Sequence, residues 1–214
     1  KINVAKKDVP YLVSEHNGHM FPTKSYDWEG KRLDQAKRHL QVINDMRNPK
    51  SRISGSIGWV TNDYHTHPEF GSGDGICYHG VRDIYRMPKT ASYSYLSQKD
   101  TPFVLELSST MNLGEYPGGF IHEIYVFTNL DSIKLYKNNS YVDTFYPNHK
   151  AYPHLAHPPV IIDDFVGKMI EEQEQMNAKD ATRIKNIIKL NIKLRKKIYL
   201  KKNLIFLIII FLLN

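Results

Sequence analysis

The spacing of apolar residues changes near residue 100, and that change restricts the fold more than any other feature of this 214-residue chain. Before it, two short apolar runs, Tyr11 to Ser14 and Arg52 to Val60, alternate with segments of helical period. Leu33, Ala36, Leu40 and Ile43 recur three and four apart within Asp27 to Met46, set among Lys31, Arg32, Asp34, Lys37 and Arg38, and the Asn48-Pro49 pair closes the stretch. A second helix is expected to open at Pro88, a residue suited to a first helical turn, and to run through Ala91, Tyr95 and Leu96. Strand, helix, strand, helix makes a βαβα unit, and such units carry parallel strands. After Pro102 the runs Phe103 to Leu107, His122 to Thr128, Ser132 to Tyr136 and Tyr141 to Phe145 are short, β-branched and aromatic, and Pro117-Gly118-Gly119 and Lys137-Asn138-Asn139-Ser140 punctuate them. They predict an antiparallel β-sandwich, with Asn138-Asn139 in a tight hairpin turn. The expected organisation is an α/β piece over 1–100, an all-β piece over 101–160, a linker or the start of a further domain over 161–183, and a low-complexity tail over 184–214.

Charge confirms that the tail stands apart. The formal net charge is +7, yet nine Lys or Arg and no acid fall between Arg183 and Lys202, leaving 20 basic against 22 acidic side chains in residues 1–182. A nucleic-acid partner for the body loses its support. The ten apolar residues Leu204 to Leu213 are fewer than the roughly 20 that span a bilayer, and Lys201 and Lys202 do not extend them, so a membrane anchor is not expected. The tail reads as a low-complexity extension of the kind a shifted frame in AT-rich DNA produces. A single cysteine, Cys77, excludes an internal disulfide framework. Lys1 to Pro10 is polar and has no signal-peptide pattern, which leaves cytoplasm and periplasm both open.

The stretch Tyr11 to Lys24, YLVSEHNGHMFPTK, places a carboxylate, Glu15, at the end of an apolar strand, before a loop holding His16, Asn17, Gly18, His19 and Pro22. An α/β barrel presents catalytic acids in this way at its C-terminal mouth, although an ordinary loop carboxylate has the same surroundings. Arg52 to Val60, RISGSIGWV, is rich in small residues that leave room for backbone or ligand, and it ends in Trp59. His65, His67, Asp63 and Asp74 are close in sequence, but no further ligand pair with recognisable spacing follows, so they are expected to be loop residues and no metal is implied. Cys77, between Ile76 and Tyr78, reads as a small buried hydrophobe rather than a nucleophile. The FGSGDG run lacks the following Lys-Ser/Thr of a phosphate loop.

Several stretches together resemble glycoside hydrolase family 2, in the C-terminal part of its catalytic barrel and the immunoglobulin-like domain after it. SEHNGHMFPTK looks like the loop carrying the family's nucleophilic glutamate at the end of the seventh barrel strand, with Glu15 at that position. GSIGWVTND is similar to the eighth-strand pattern, matching at Gly55, Trp59 and Asp63, and YHGVRDIYRMPKTASYSY resembles the segment before the eighth helix, matching at Gly80, Asp83, Arg86, Pro88 and Lys89. EIYVFTNLDSIKLYKNNSYV resembles the family's strand-and-hairpin pattern, with Asn129, Leu135 and Asn139 matching. The resemblance covers about residues 8–180. It implies a TIM-barrel portion followed by a sandwich, with Glu15 as nucleophile and Trp59 as an apolar wall for the sugar. Asn17, His19 and Asp63 would meet sugar hydroxyls or hold the loops, the partner would be a β-glycoside, and no cofactor or metal is implied. The family's acid/base glutamate lies in an Asn-Glu pair on the fourth strand, and that dipeptide is absent from these 214 residues. The expectation is a fragment, inactive alone, whose remaining barrel and N-terminal domains lie in residues outside this chain. The alternative is a non-catalytic carbohydrate-binding or interaction module, using Tyr116, Tyr125, Tyr136 and Tyr146 of the sandwich.

Overall fold

A computed structural model describes residues 9–18, 21–67, 73–110, 123–137, 139–165, 167–173 and 175–187. The expected tail lies almost wholly outside them. The helical period predicted in the first half folds as α1 (Glu29–Met46), and Leu33, Ala36, Leu40 and Ile43 all turn inward and are buried. On the same inward face Gln35, His39 and Asn44 are buried as well. Each has a distant partner: Gln35 Nε2 donates to Gly80 O (3.1 Å), His39 Nδ1 lies 2.7 Å from Tyr95 Oη, and Asn44 Oδ1 accepts from His154 N (3.0 Å). Burial of these polar groups is tolerable because those bonds replace the ones water would make.

β1 (Tyr11–His16) and β2 (Ile53–Gly58) pair in parallel, with Leu12 opposite Gly55, Val13 opposite Ser56 and His16 opposite Gly58. The helix between them is the crossover that a parallel pair needs. β1 is longer than expected, so Glu15 belongs to the strand itself. A short antiparallel ribbon, β3 (Tyr64–His65) with β4 (Ile76–Cys77), follows and was not foreseen. The helix expected from Pro88 is reduced to a 3₁₀ turn, Thr90–Ser92, and one α-helical turn, α2 (Tyr93–Leu96). Pro88 is in a bridge to Arg82, and Lys89 is extended, with φ −89° and ψ 169°. The serine hydroxyls explain the shortening: Ser92 Oγ donates to Val81 O (2.6 Å) and Ser94 Oγ to Ala36 O (3.0 Å), which binds this segment to its neighbours rather than to a longer helix of its own.

The second half is antiparallel, as its sequence pattern implies. β5 (Leu105–Leu107), β6 (Ile124–Thr128) and β9 (Val160–Ile162) form one sheet in the order β5-β6-β9. β7 (Ile133–Lys137) and β8 (Ser140–Phe145) form a hairpin in which Lys137 faces Ser140. Asn139, in its turn, takes the left-handed conformation (φ 64°) that asparagine tolerates better than most residues. Asn138 and Tyr116 lie outside the described residues. A short helix, α3 (Met169–Gln173), and a helical segment over 178–187 are the last elements among the described residues, which form a mixed α/β fold with small sheets.

β6 explains how the layers stack. All five of its residues are buried, because it is covered on both faces. Tyr125 and Phe127 pack with Leu33, Ala36, Leu40 and Ile43 of α1 and with Tyr152 and Leu155. Ile124 and Val126 point the other way, joining Val160 and Ile162 against Ile133, Leu135 and Phe145 of the hairpin. A strand sandwiched in this manner has no solvent side, which is why its sequence, IYVFT, shows no polar alternation. Residues from before and after position 100 therefore share one apolar cluster. Among the described residues no helix is long and apolar enough to cross a membrane.

Candidate active site

Parallel pairing brings the C-terminal ends of β1 and β2 to the same edge, and the backbone bond from Trp59 N to His16 O (2.8 Å) ties them together there. Glu15 is exposed at that edge and Trp59, next along from β2, is 37% exposed. Asn17 turns the chain through a left-handed conformation (φ 62°). Gly18 then leaves space for the nucleophile candidate, since any side chain at 18 would overlap the Glu15 carboxylate. The Trp59 ring meets Tyr64 edge-on, with centroids 6.0 Å apart and planes at 88°. The Tyr64 hydroxyl is held above its ordinary pKa by its contact with Cys77, by burial, and by the negative charge of Glu15, while the Trp59 indole opposes the shift. Trp59 and Tyr64 are thus neighbours at the strand end that also carries Glu15. His19 falls outside the described residues.

Beneath this edge lies a polar floor. The His16 ring packs on His39 (6.0 Å), and His39 is hydrogen-bonded to Tyr95, whose hydroxyl burial pushes up to about 12. Gly58 permits this approach, because a Cβ there would come within 2.8 Å of Tyr95 Oη. Burial lowers the pKa of His16, with Asn17 offsetting part of the effect. His16 Nδ1 and Asn17 Nδ2 are buried with no hydrogen-bond partner among the described residues. Cys77 is fully buried, as its apolar neighbours imply, but its Sγ lies 2.7 Å from His79 Nδ1. That partner was passed over in the sequence, where the Cys-x-His spacing was its only trace.

Asp63 faces inward. Its side chain is 1% exposed, and Oδ1 accepts from Lys89 Nζ (2.7 Å, also 1% exposed) and from Gly80 N (2.8 Å). Lys89 Nζ also donates to Thr23 O (2.7 Å), so one ammonium joins the loop after β1, the loop after β2 and the segment before the 3₁₀ turn. Burial pushes Asp63 up and Lys89 down, and their mutual attraction opposes both shifts. Gly80 sits so close to the backbone of Asn62, Asp63 and Arg82 that no side chain fits. Asp63 thus holds these loops together and does not open onto solvent; Lys89 was visible in sequence only as a matched motif residue. Asp74 is engaged by Tyr78 Oη (2.6 Å), which holds its carboxyl low, and by Lys24 (3.4 Å). Among the described residues no group of three or more His, Cys, Asp and Glu could hold a metal. Of the tyrosines considered for a glycan face, Tyr125 is buried while Tyr136 and Tyr146 are exposed.

No protein-family model matches the chain. Curated relatives do. The chain is 48% identical over 159 residues to a β-galactosidase of Thermoanaerobacterium thermosulfurigenes, a match covering 73% of this chain and 22% of that protein. To β-galactosidases of Thermoanaerobacter pseudethanolicus and Rhizobium meliloti it is 40% and 36% identical, covering 70% and 73% of this chain and 20% and 21% of theirs. Solved structures similar to it include β-glucuronidase 2 of Bacteroides uniformis (17% identity, 63% of this chain, 17% of that one, TM-score 0.49) and a β-glucuronidase from glycoside hydrolase family 2 (22%, 62%, 15%, TM-score 0.45). The chain spans about a fifth of the length of the curated relatives it matches.

Proposed function

We propose that this chain, a relative of the β-galactosidases over most of its length, is the C-terminal part of a retaining β-glycosidase barrel together with the immunoglobulin-like sandwich that follows. The observation that carries the reading is the juxtaposition of Glu15 and Trp59 at one end of a parallel strand pair. β1 and β2 then correspond to the last two strands of an eight-stranded barrel. The exposure of Leu12 (59%) and Ile57 (57%) supports this, since parallel sheets are ordinarily covered on both faces.

In the proposed reaction a Glu15 oxygen attacks the anomeric carbon, the glycosidic bond breaks, and a glycosyl ester forms; the leaving oxygen takes its proton from a second carboxyl roughly 5–5.5 Å away. Water then attacks the ester, gives its proton to that second carboxylate, and frees Glu15. The second carboxyl would come from the remaining barrel, outside this chain, so the chain alone is inactive. Trp59 offers an apolar wall to the C–H face of the sugar. Asn17 and His19 would bond its hydroxyls, and Asp63 would act on it through the loop it anchors.

The test is to co-express this chain with the part of the T. thermosulfurigenes relative that precedes the matched residues and treat the assembly with a 2-deoxy-2-fluoro β-galactoside. The expected result is a single sugar adduct on Glu15, absent from Glu15→Gln and from the chain alone. An adduct on another residue would overturn the assignment; Glu15-dependent hydrolysis of an aryl β-galactoside by the isolated chain would overturn its inactivity.

A further inference from the structure

β5 carries its apolar residues on the side open to solvent. Phe103, just before it, and Leu105 and Leu107 within it are exposed (80%, 56% and 40%). The residues that alternate with them face inward: Glu106 is hydrogen-bonded to Tyr93 and feels the charge of Arg32, and Ser108 is buried. Leu107 lies opposite Val126 of β6 and Leu105 opposite Thr128, so both share the sheet face that carries Ile124 and Val126. The β7–β8 hairpin covers that face over β6 and β9 and leaves the β5 side of it exposed.

The backbone of β5 is open as well. Ser108 N donates to Tyr125 O (2.8 Å), Val104 N to Asn129 Oδ1 (2.9 Å) and Thr128 Oγ1 to Val104 O (2.7 Å), so residues 104 and 108 direct their backbone groups toward β6. Alternation along the strand sends the N–H and C=O groups of Leu105 and Leu107 the other way, where the sheet has no further strand among the described residues. An edge of this kind is a template for another strand.

A strand that fits must bring apolar residues at alternate positions, on the residues whose backbone groups face the edge. β5 itself does so. Paired antiparallel with a second copy about a two-fold axis at Leu105, it sets Leu105 against Leu105 and Phe103 against Leu107, all on one face. Val104 and Glu106 then oppose each other on the other face, and Asp100 stands opposite Thr110 rather than another carboxylate. Other registers match less well. An axis at Glu106 brings two carboxylates together, one at Leu107 sets Leu105 against Ser109, and one at Phe103 sets Leu105 against Thr101.

We propose that β5 is a self-association surface, through which two copies of this chain join antiparallel, in register about Leu105, and merge their β5-β6-β9 sheets into one. Far fewer residues meet here than the roughly 20–30 a side of a standard interface, so the pair is weak and fills at high concentration. The proposal rests on no assignment at Glu15.

The experiment is sedimentation equilibrium of the full chain over about 10 μM to 1 mM. The mass is expected to rise from that of the monomer toward twice that value and to stop there. Leu105→Lys sets two ammonium groups against each other across the axis, and Leu105→Glu two carboxylates, so each variant alone should stay monomeric. An equimolar mixture of the two should associate again, because opposite charges then meet. Leu105 is exposed, so the urea midpoint of each variant should match the parent's, which separates lost pairing from lost folding. A parent that stays monomeric throughout, as it would if another segment of the same chain held this edge, would overturn the proposal. So would growth past the dimer, association undiminished by Leu105→Lys, or a mixture that fails to recover. Association lost in Ile57→Lys but kept in Leu105→Lys would also overturn it and assign the contact to β1 and β2.

Discussion

Lys89→Met removes the cation from a pair whose two side chains are each 1% exposed, and leaves the Asp63 carboxylate buried with only the Gly80 N–H. Thr23 O, in a fully buried residue, loses its ammonium donor as well. Breaking a buried pair from one side costs about 3–5 kcal/mol, most of it the penalty of an uncompensated charge. For a urea slope of about 2 kcal/mol per M, the midpoint should fall by about 2 M. Asp63→Asn in the same background removes that charge while keeping an acceptor for Gly80 N, so the double variant should recover most of the loss. Acid should help the single variant. With Lys89 gone only the Gly80 N–H opposes the burial that already pushes Asp63 up, so the folded state holds its proton to higher pH than the unfolded state, with its carboxyl near 3.9. Stability of Lys89→Met therefore rises as pH falls through the folded value and levels off below the unfolded one. Urea titrations followed by circular dichroism at pH 8, 6 and 5 measure all three quantities. A midpoint loss under about 0.5 M at pH 8, or no recovery in the double variant, would refute the account of a desolvated, mutually dependent pair.

Three further perturbations have defined outcomes. Gly80→Ala would drive a methyl into the backbone of Asn62, Asp63 and Arg82 and should prevent folding of these loops, read as loss of cooperative thermal unfolding. Phe127→Ala empties a fully buried site between α1 and its own sheet and should cost about 3–5 kcal/mol in urea unfolding. Because burial lowers the folded pKa of His16, its contribution to stability is present above the unfolded value near 6.5 and is lost as pH falls through the folded one; His16→Gln should flatten the thermal midpoint between pH 7 and 5, and an unchanged slope would show that His16 is not its source.

Much of this architecture is legible in the residues. Period 3.6 marks α1 because its apolar stripe must face a core, and the break at Asn48-Pro49 marks its end. Parallel pairing of β1 and β2 follows from the helix between them, and the antiparallel second half follows from its short runs and turns. What escaped is tertiary in origin. The inward polar residues Gln35, His39 and Asn44 look like breaks in an amphipathic stripe until their partners, 45 to 110 positions away, are seen. The helix from Pro88 was truncated by serine hydroxyls bonding to other segments, which no local propensity encodes. Spacing placed Asp63 four residues after Trp59 but could not say that it turns toward Lys89, because loop residues have no fixed period. Glu15 and Trp59 were singled out as strand-end residues, and pairing of the strands brings them together.

The shared cluster around β6 bears on anyone who would cut this chain for expression. A scissile point at the change of sequence pattern near residue 100 would strip Tyr125 and Phe127 from α1 on one side, and Leu33, Ala36, Leu40 and Ile43 from β6 on the other. It would also sever His154 N from Asn44 and Lys37 from Glu123 (3.7 Å). Each product would display a raw apolar face, and such faces promote aggregation. The practical unit of excision keeps α1 and β6 in one piece, so a boundary drawn from composition is the wrong place for the scissors.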